Sequence, residues 1–390
     1  MYRIAFFCIP AYGHTNPTLE VVRELVRRGN EIRYYSYNMM KEKIEATGAK
    51  FISCDQFDPQ MDLRPEDAER ISTDIAFSTK LLVNMTLTMD EALLDEMTQW
   101  KPDCIVADSM AMWGKLVAYK LGVPFMSSTT TFAFNRYSSK VMKQSFSQLF
   151  KMLFSIPKAN RQLSRLKQRG YPVKNVLSVV QNDNDTNTIV YTSPEFQPCA
   201  ETFSDKYTFV GPSIQASEAV TSKTGRPTIF ISMGTIVNSK PDFYRNCIKA
   251  FANSAYDVVM SVGKETDLHS LGPIPDNFTV AQSVNQIEEL QKADVFLTHC
   301  GMNSVNEALY YKVPLVLFPQ TTEQGGVAYR AKELGAGTYL MDDAPESIKN
   351  SVLHVLENDA FRHAAETISE GFHHCGGFVL AADKIEALCH

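Results

Sequence analysis

The chain alternates short apolar runs with segments in which apolar residues recur every three or four positions. In the first part of the chain the apolar runs are 3–9, 31–37 and 50–54, and the periodic segments are 16–29 and 40–48. An apolar run of five to seven residues is typical of a buried strand, and the three-to-four spacing is typical of an amphipathic helix. Their alternation predicts βαβ units in a parallel sheet.

A second series of the same kind begins at residue 227. Its strand-like runs are PTIFISMGT, YDVVMSVG, FTVAQSV, DVFLTHCG and PLVLFP, and its helical segments lie near 240–254, 285–292, 303–311 and 324–335. The stretch between the two series is polar and unpatterned, as linkers are. We therefore expect two Rossmann-like α/β domains with these boundaries: 1–212, a linker at 213–226, 227–375, and a C-terminal helix at 376–390 that packs back towards the first domain.

The first predicted helix has clear start and stop residues. Asn16 is a favourable N-cap, Pro17 fits the first helical position, and Gly29 suits a left-handed C-terminal stop. Gly13, before the helix, allows a tight turn after the strand. This reading leaves residues 10–15 as a loop between the first strand and the first helix.

A histidine and an aspartate fall at the same edge of the predicted sheet. His14 lies in the loop after the first strand, and Asp108 ends the buried run 102–109. Ligands of open parallel sheets bind at the carboxyl ends of the strands. His14 is therefore either an ordinary loop residue or a general base assisted by Asp108, and Asp108 at the same edge favours the base.

Composition limits the function further. The chain has 390 residues, 44% of them hydrophobic, and a net charge of −6, which fits a globular two-domain protein and disfavours nucleic acid as a partner. The first 14 residues hold too short an apolar run for a signal peptide, and no run is long enough to span a bilayer. The eight cysteines are scattered without a CxxC pair, so we expect reduced thiols, a cytoplasmic protein and no metal site, although HHCGG at 373–377 has potential metal ligands.

The stretch from 293 to 330 has the features of a diphosphate site. A strand ends at His299, Gly301 allows a tight turn, and Asn303 and Ser304 begin a helix whose N-H groups and dipole can hold a diphosphate. Glu307, one turn later, can accept hydrogen bonds from a ribose diol. Each of these residues also has an ordinary use in turns and helix caps.

Two more groups of residues follow strands of the second series. Glu323 and Gln324 stand together at a helix start, where they can bind several sugar hydroxyls or serve only as exposed caps. Ser232, Gly234 and Thr235 follow the first strand of the series and suit oxygen atoms of the same diphosphate.

In combination these motifs resemble those of one enzyme family. Residues 283–324 resemble the nucleotide-sugar signature of UDP-dependent glycosyltransferases, and GHTNP resembles the GHxNP near the start of the same enzymes. FISMGT, SPEFQP, FVGP and the overall length are most similar to bacterial macrolide and flavonoid glycosyltransferases. The resemblance implies the GT-B fold, which is α/β with two facing Rossmann-like domains and a central cleft, the acceptor in the first domain and the donor in the second.

The resemblance also implies roles for matching positions. His14 would be the general base, oriented by Asp108; the diphosphate would be held by His299, Asn303, Ser304 and Thr235, the ribose by Glu307, and the donor sugar by Glu323 with Gln324. The chain departs from the family in one place, because Ser283 stands where a tryptophan usually stacks on the nucleobase. Val284 can still contact the base through its backbone, and the choice between UDP and TDP is left open.

The expected chemistry is direct displacement with inversion at the anomeric carbon, because a base that acts once per turnover fits a single displacement. No DxD-like carboxylate pair occurs in the donor motif, so we expect no Mg²⁺ and no cofactor beyond the nucleotide sugar, with UDP-glucose as the expected donor because of Gln324. The acceptor is expected to be an apolar small molecule with a hydroxyl, bound by loops at 55–80 and 132–180. Two alternatives stay open: a lipid acceptor reached through the basic segment 145–170, and a nucleotide-sugar-binding module without turnover.

Overall fold

The computed structural model of the protein describes residues 1–57, 74–138, 146–171, 173, 175, 185–215, 225–235 and 238–390. The chain divides into two compact units, Met1–Ile214 together with Cys375–His390, and Gln215–His374. Most of the predicted linker 213–226, and parts of the predicted acceptor loops, lie outside the described residues.

The first unit is built on a sheet of seven parallel strands. Its strand order is β3-β2-β1-β4-β5-β6-β7. The strands are β1 (Arg3–Phe7), β2 (Glu31–Ser36), β3 (Lys50–Ser53), β4 (Cys104–Asp108), β5 (Phe125–Thr129), β6 (Thr188–Val190) and β7 (Tyr207–Phe209). The order reverses between β1 and β4, so this sheet has its topological switch point where β1 and β4 end.

Six α-helices belong to the described part of this unit. They are α1 (Tyr12–Arg27), α2 (Lys41–Glu45), α3 (Ile75–Trp100), α4 (Met112–Leu121), α5 (Phe146–Gln168) and the C-terminal helix α12 (Gly377–Leu388). The helices α6 to α11 belong to the second unit. One apolar core lies between the sheet and α1 with α12, and a second lies between the sheet and α3 with α4. The parallel strands are thus buried on both faces, which explains their continuous apolar runs.

The second unit repeats the arrangement with six parallel strands in the order β10-β9-β8-β11-β12-β13. The strands are β8 (Thr228–Ser232), β9 (Asp257–Ser261), β10 (Phe278–Ala281), β11 (Val295–Thr298), β12 (Leu315–Leu317) and β13 (Gly337–Tyr339). The helices are α6 (Pro241–Phe251), α7 (Gln286–Lys292), α8 (Met302–Tyr310), α9 (Thr322–Glu333), α10 (Pro345–Leu356) and α11 (Asp359–His373). Here the switch point lies between β8 and β11.

Helix α1 differs from the sequence prediction at its start. Helix α1 begins at Tyr12 and contains Pro17, so the prediction of an N-cap at Asn16 and a turn at Gly13 is wrong. The extended residue Ala11 is the N-cap, and its carbonyl accepts from the N-H groups of His14 and Thr15, both at 3.0 Å. Pro17 lies in the second turn of the helix, where it has no N-H to donate to the carbonyl four residues earlier. Gly29 follows the end of α1 in the left-handed conformation, with φ +87°, as predicted.

Helix α5 shows how the basic segment is used. Its side chains Ala159, Leu163 and Leu166 are buried in a cluster with Val83 of α3 and Leu116 of α4. Within 155–168, the part of α5 whose side chains the structure describes, these apolar side chains face the interior of the unit. The exposed basic residues are Lys158, Arg161, Arg165 and Lys167.

A buried ion pair fixes the same helices to one another. Lys120 donates to both carboxylate oxygens of Asp90, at 2.9 and 3.0 Å, and the Tyr171 hydroxyl also donates to Asp90. Asp90 is 4% exposed. Because a buried carboxylate without partners is costly, this contact ties the chain after α5 to α3 and α4.

The C-terminal helix α12 packs on α1 within the first unit. Arg28 donates to Asp383 and Glu386, each at 2.7 Å, and to Glu24 at 2.8 Å. The N-H of Gly377 donates to the carbonyl of Val210 at 2.8 Å, which fixes the start of the helix.

Candidate functional site

His14 lies in the first turn of α1, directly after β1. It is thus at the switch point of the first sheet, but as part of a helix rather than of a loop. The helix dipole at this end disfavours an imidazolium, so a neutral ring is favoured unless a negative group lies nearby.

Asp108 supplies that negative group. Its Oδ2 atom lies 2.7 Å from Nδ1 of His14, and its Oδ1 atom accepts from the N-H of Met110 at 2.9 Å. The carboxylate is almost fully buried, and 21% of the His14 side chain is exposed. The Asp108 carboxylate accepts a hydrogen bond from the Nδ1-H group of His14, and the lone pair of the neutral ring is then on Nε2. The structure therefore brings together the two residues that the sequence placed at one edge.

Thr130 is a third member of this group that the sequence reading missed. Its Oγ1 atom lies 3.1 Å from Nδ1 of His14, and the residue is buried. Thr130 follows β5 as Asp108 ends β4. The available signal was that neighbouring parallel strands end at the same edge.

In the second unit, His299 follows β11 and occupies a slot between two glycines. A Cβ atom on Gly234 would lie 2.4 Å from Nε2 of His299, and a Cβ atom on Gly301 would lie 2.6 Å from it. Burial lowers the pKa of the His299 imidazole to about 4, so the ring is neutral at pH 7. Its Nδ1 atom is buried without a hydrogen-bond partner. A buried polar atom without a partner is rare and marks a position where a ligand can supply one.

The turn that follows His299 is made differently from the prediction. Cys300 has the left-handed conformation, with φ +67°, whereas Gly301 has φ −61°. The N-H of Cys300 donates to Oγ1 of Thr298 at 3.1 Å, which stabilises the turn. The prediction that Gly301 makes the turn is wrong; Gly301 is required because a Cβ atom would collide with His299.

Gly301 is also the N-cap of α8, and it has no side chain to accept from the first N-H groups of that helix. Asn303 and Ser304 are the second and third residues of α8, which begins at Met302. The helix start therefore lies beside the His299 ring, as a diphosphate site requires.

Asn238 fixes the loop after β8 on the other side of His299. Its side-chain amide donates to the carbonyl of Gly234 at 2.8 Å, and the N-H of Gly234 donates to Oγ of Ser232 at 3.3 Å. Gly234 has φ +77°, and Thr235 is exposed. Ser232, Gly234 and His299 thus form one cluster at the switch point of the second sheet.

Gln286, at the start of α7, is a second residue that sequence reasoning missed. Its side-chain amide donates to Oγ of Ser304 at 3.2 Å and to Oε2 of Glu307 at 2.5 Å. Glu307 and Ser304 are therefore held on one side of α8 by a residue from the preceding helix, α7. The sequence signal was only that Gln286 begins a predicted helix just after Ser283 and Val284.

The structure uses Gln324 first as a cap. Its Oε1 atom accepts from the N-H groups of Gln320 at 2.8 Å and Thr321 at 3.1 Å, and Thr321 completes a capping box at the start of α9. Glu323 is exposed in the same turn. The amide nitrogen is the part of the Gln324 side chain that can still donate to a sugar oxygen.

Ser283 and Val284 follow β10 at the same edge of the sheet, and Ser283 is exposed. Among the described residues, no three potential metal ligands cluster, HHCGG included. No helix in the part of the chain that the structure describes is long and apolar enough to cross a bilayer.

Comparison with known proteins gives consistent similarities. A family model for the C-terminal domain of erythromycin biosynthesis protein CIII-like proteins matches residues 246–373. NDP-glycosyltransferase YjiC of Bacillus licheniformis is 36% identical, over 98% of this chain and 97% of that protein. Oleandomycin glycosyltransferase of Streptomyces antibioticus is 28% identical, over 98% of this chain and 90% of that protein. The crystal structure of CalG4, the calicheamicin glycosyltransferase, matches with a TM-score of 0.81 at 29% identity, covering 100% of this chain and 98% of that chain. The similarities therefore extend over both units.

Proposed function

We propose that this chain, which belongs to the bacterial UDP-glycosyltransferase family and has the GT-B fold, transfers a hexose from a nucleoside diphosphate sugar to a hydroxyl group. The acceptor is an apolar small molecule, and the transfer inverts the configuration at the anomeric carbon. The chain is a glycosyltransferase that acts on small-molecule acceptors. The proposal adds the base, the stereochemistry and UDP-glucose as the donor.

The contact between His14 and Asp108 carries the proposal. The 2.7 Å distance and the burial of the carboxylate hold the Nδ1 proton on the side of Asp108. Nε2 is then the basic nitrogen, and it takes the proton of the acceptor hydroxyl as the oxygen attacks the anomeric carbon. Asp108 stabilises the imidazolium that forms. General-base catalysis by a positioned side chain such as His14 contributes about 10²- to 10⁴-fold in rate.

The second unit supplies the groups for the leaving diphosphate. The bond from the anomeric carbon to the diphosphate oxygen breaks, and negative charge develops on that oxygen. The N-terminus of α8 and the neutral His299 ring donate hydrogen bonds to such charge without a metal ion. The unpartnered Nδ1 atom of His299 supports a ligand at this place.

Glu307 is positioned for the ribose diol, because Gln286 fixes its carboxylate beside Ser304. Glu323 and the amide nitrogen of Gln324 are the sugar contacts in this proposal. Ser283 replaces a stacking tryptophan, so UDP and TDP must be compared directly.

A lipid acceptor reached through the segment 145–170 is the alternative to this proposal. In the part of α5 whose side chains the structure describes, 155–168, Ala159, Leu163 and Leu166 are buried against α3 and α4. Failure to sediment with anionic vesicles would agree with the small-molecule proposal, and salt-resistant sedimentation would favour the lipid acceptor instead.

The test is a matrix of donors and acceptors read by mass spectrometry. Donors are UDP-glucose, UDP-galactose and TDP-glucose; acceptors are a macrolide, a flavonoid and simple phenols. The expected result is a hexosylated product from UDP-glucose whose anomeric configuration is inverted by NMR. A retained configuration would refute the single displacement.

The base is tested by His14→Ala, with His269→Ala as a matched control because His269 is exposed in the second unit. His14→Ala should abolish transfer to alcohols and leave UDP binding by calorimetry intact, while His269→Ala should match the wild type. Full transfer by His14→Ala would disprove the base assignment.

A further inference from the structure

We propose that Thr130 is a positioning residue for His14: its hydroxyl, together with Asp108, holds the Nδ1-H side of the ring and stabilises the imidazolium formed during transfer. This inference rests on the proposed role of His14 as the base. It concerns the ring itself, so it can be tested without a substrate.

Two oxygen acceptors meet one ring nitrogen. Oδ2 of Asp108 lies 2.7 Å and Oγ1 of Thr130 lies 3.1 Å from Nδ1 of His14. They come from the ends of the neighbouring strands β4 and β5, which pair in register up to Asp108 and Ser128. The shorter contact to a carboxylate takes most of the Nδ1 proton, and the threonine oxygen shares it. Two acceptors restrict rotation of the ring more than one does.

The position of Thr130 is itself fixed. The next residues of its loop are held by the buried Gln197, whose Oε1 accepts from the N-H of Ala133 and whose Nε2 donates to the Ala133 carbonyl, both at 2.9 Å. The rings of Phe132 and Phe196 pack with their centroids 5.6 Å apart. Thr130 is therefore held by β5 on one side and by this clamp on the other.

The hydroxyl matters more for the charged ring than for the neutral one. Hydrogen bonds to charged donors are stronger than neutral ones by about 1 kcal/mol. Loss of the Thr130 oxygen should therefore destabilise the imidazolium and move the protonation midpoint of His14 to lower pH, by roughly half to one pH unit.

The other titratable groups near the pair do not change charge in this range. Burial raises the pKa of the Cys8 thiol and of the Tyr34 and Tyr191 hydroxyls, and the Asp108 charge raises that of Cys8 and Tyr191 further. All three stay neutral between pH 5 and 9. Lys43, on α2, is the nearby cation given by the described contacts; it donates to Asn16 at 3.2 Å and lies over the Tyr12 ring. These groups are the same in every variant, so a midpoint shift between the variants reports the change at residue 130.

The experiment is a pH titration of the ring nitrogens by NMR in full-length protein labelled with ¹⁵N-histidine. The His14 signals are identified by their loss in His14→Gln. Thr130→Val removes the hydroxyl, Thr130→Ser keeps it, and Thr131→Val is the matched control, because Oγ1 of Thr131 donates to the carbonyl of Phe132 instead. We expect a lower midpoint in Thr130→Val and a midpoint near that of the wild type in the other two.

An unchanged midpoint in Thr130→Val would overturn the inference, and so would an equal shift in Thr131→Val. The pH profile of kcat/KM with UDP-glucose and a macrolide alcohol gives a second readout, in which the acid limb should move with the midpoint. A rise in the KM of UDP-glucose alone, with both profiles unmoved, would place the hydroxyl against the sugar and also overturn it. If His14→Ala keeps full transfer, the proposed base fails even where the NMR shift is present, so the two failures are distinct.

Discussion

Replacing Gly301 by alanine adds one methyl group against the His299 ring. The backbone at Gly301, with φ −61° and ψ 140°, accepts alanine without strain. The new Cβ atom would nevertheless lie 2.6 Å from Nε2 and 3.2 Å from Cε1 of His299, short of the 3.4 Å at which ordinary van der Waals contact begins. The ring must therefore move by about 0.8 Å at Nε2. Gly234 closes the other side, where a Cβ atom would be 2.4 Å from the same nitrogen, so the ring has little room within the slot.

The magnitude follows from the contact that is lost. A hydrogen bond to a charged group is worth about 1.5 to 3 kcal/mol, and a ring displaced by this amount no longer meets a diphosphate oxygen at hydrogen-bond distance. The affinity for UDP should fall by roughly 10- to 150-fold. The free energy of unfolding should fall by about 1 to 3 kcal/mol, because the methyl group overpacks the slot around the His299 ring.

The assay is calorimetric titration of UDP into the wild type, Gly301→Ala, His299→Ala and the double variant. If the methyl group acts through the ring, Gly301→Ala should have no further effect once His299 is alanine, so the coupling energy should equal the single effect. Two effects that add fully, or wild-type affinity in Gly301→Ala, would refute the reasoning.

The remaining predictions concern the ribose and the stability of the first unit. Glu307→Ala should weaken UDP binding by about 1 to 3 kcal/mol in calorimetry, and unchanged affinity would count against the ribose role. Lys120→Met leaves the buried Asp90 carboxylate without its ion pair and should lower the free energy of unfolding in urea by about 3 kcal/mol. The control Lys384→Met, on the exposed side of α12, should change that free energy by no more than about 0.5 kcal/mol. Hydrogen bonds from Arg27 and Arg28 lower the pKa of Glu24 from 4.5 to about 2. The stabilisation from Glu24 is therefore fully present above pH 4.5 and is lost as the pH falls towards 2. The free energy of unfolding of Glu24→Gln in urea should lie below that of the wild type at pH 7 and approach it near pH 2. A difference that stays constant with pH would contradict this.

The sequence could predict which candidate residues lie at the strand ends, because strand ends are easy to read in a parallel sheet. The apolar runs of β1, β4, β8 and β11 stop where polar residues begin, and those residues are the ones that the structure gathers at the two switch points. The spacing could not reveal α3 in the same way. Its residues Met85, Met89 and Leu93 enter one apolar cluster while Val83 enters another, so two faces of the helix are buried and no single stripe marks it.

The local errors share one cause, which is that a residue type serves several purposes. Asn16 and Pro17 are typical of a helix start, yet the helix begins earlier because the Ala11 carbonyl can accept from two N-H groups. Gly301 was assigned to a turn, but the turn is made by Cys300, and the glycine is needed for contact with His299. The first depends on a local backbone acceptor that residue types alone do not show, and the second on the position of the His299 ring against the backbone.

Gln324 shows what this means for the donor sugar. The pair Glu323–Gln324 suggested a site for several sugar hydroxyls, and glucose was inferred from it. In the structure the carbonyl oxygen of Gln324 is already bonded to two backbone N-H groups of the capping box. Its amide nitrogen can donate to a sugar oxygen, but the side chain has lost the acceptor that would recognise a hydroxyl by its proton. Between these two residues, acceptance from a sugar hydroxyl therefore falls to the carboxylate of Glu323. Discrimination between glucose and its epimers should consequently respond more to Glu323→Gln than to the replacement of Gln324, whose loss would act partly through the start of α9.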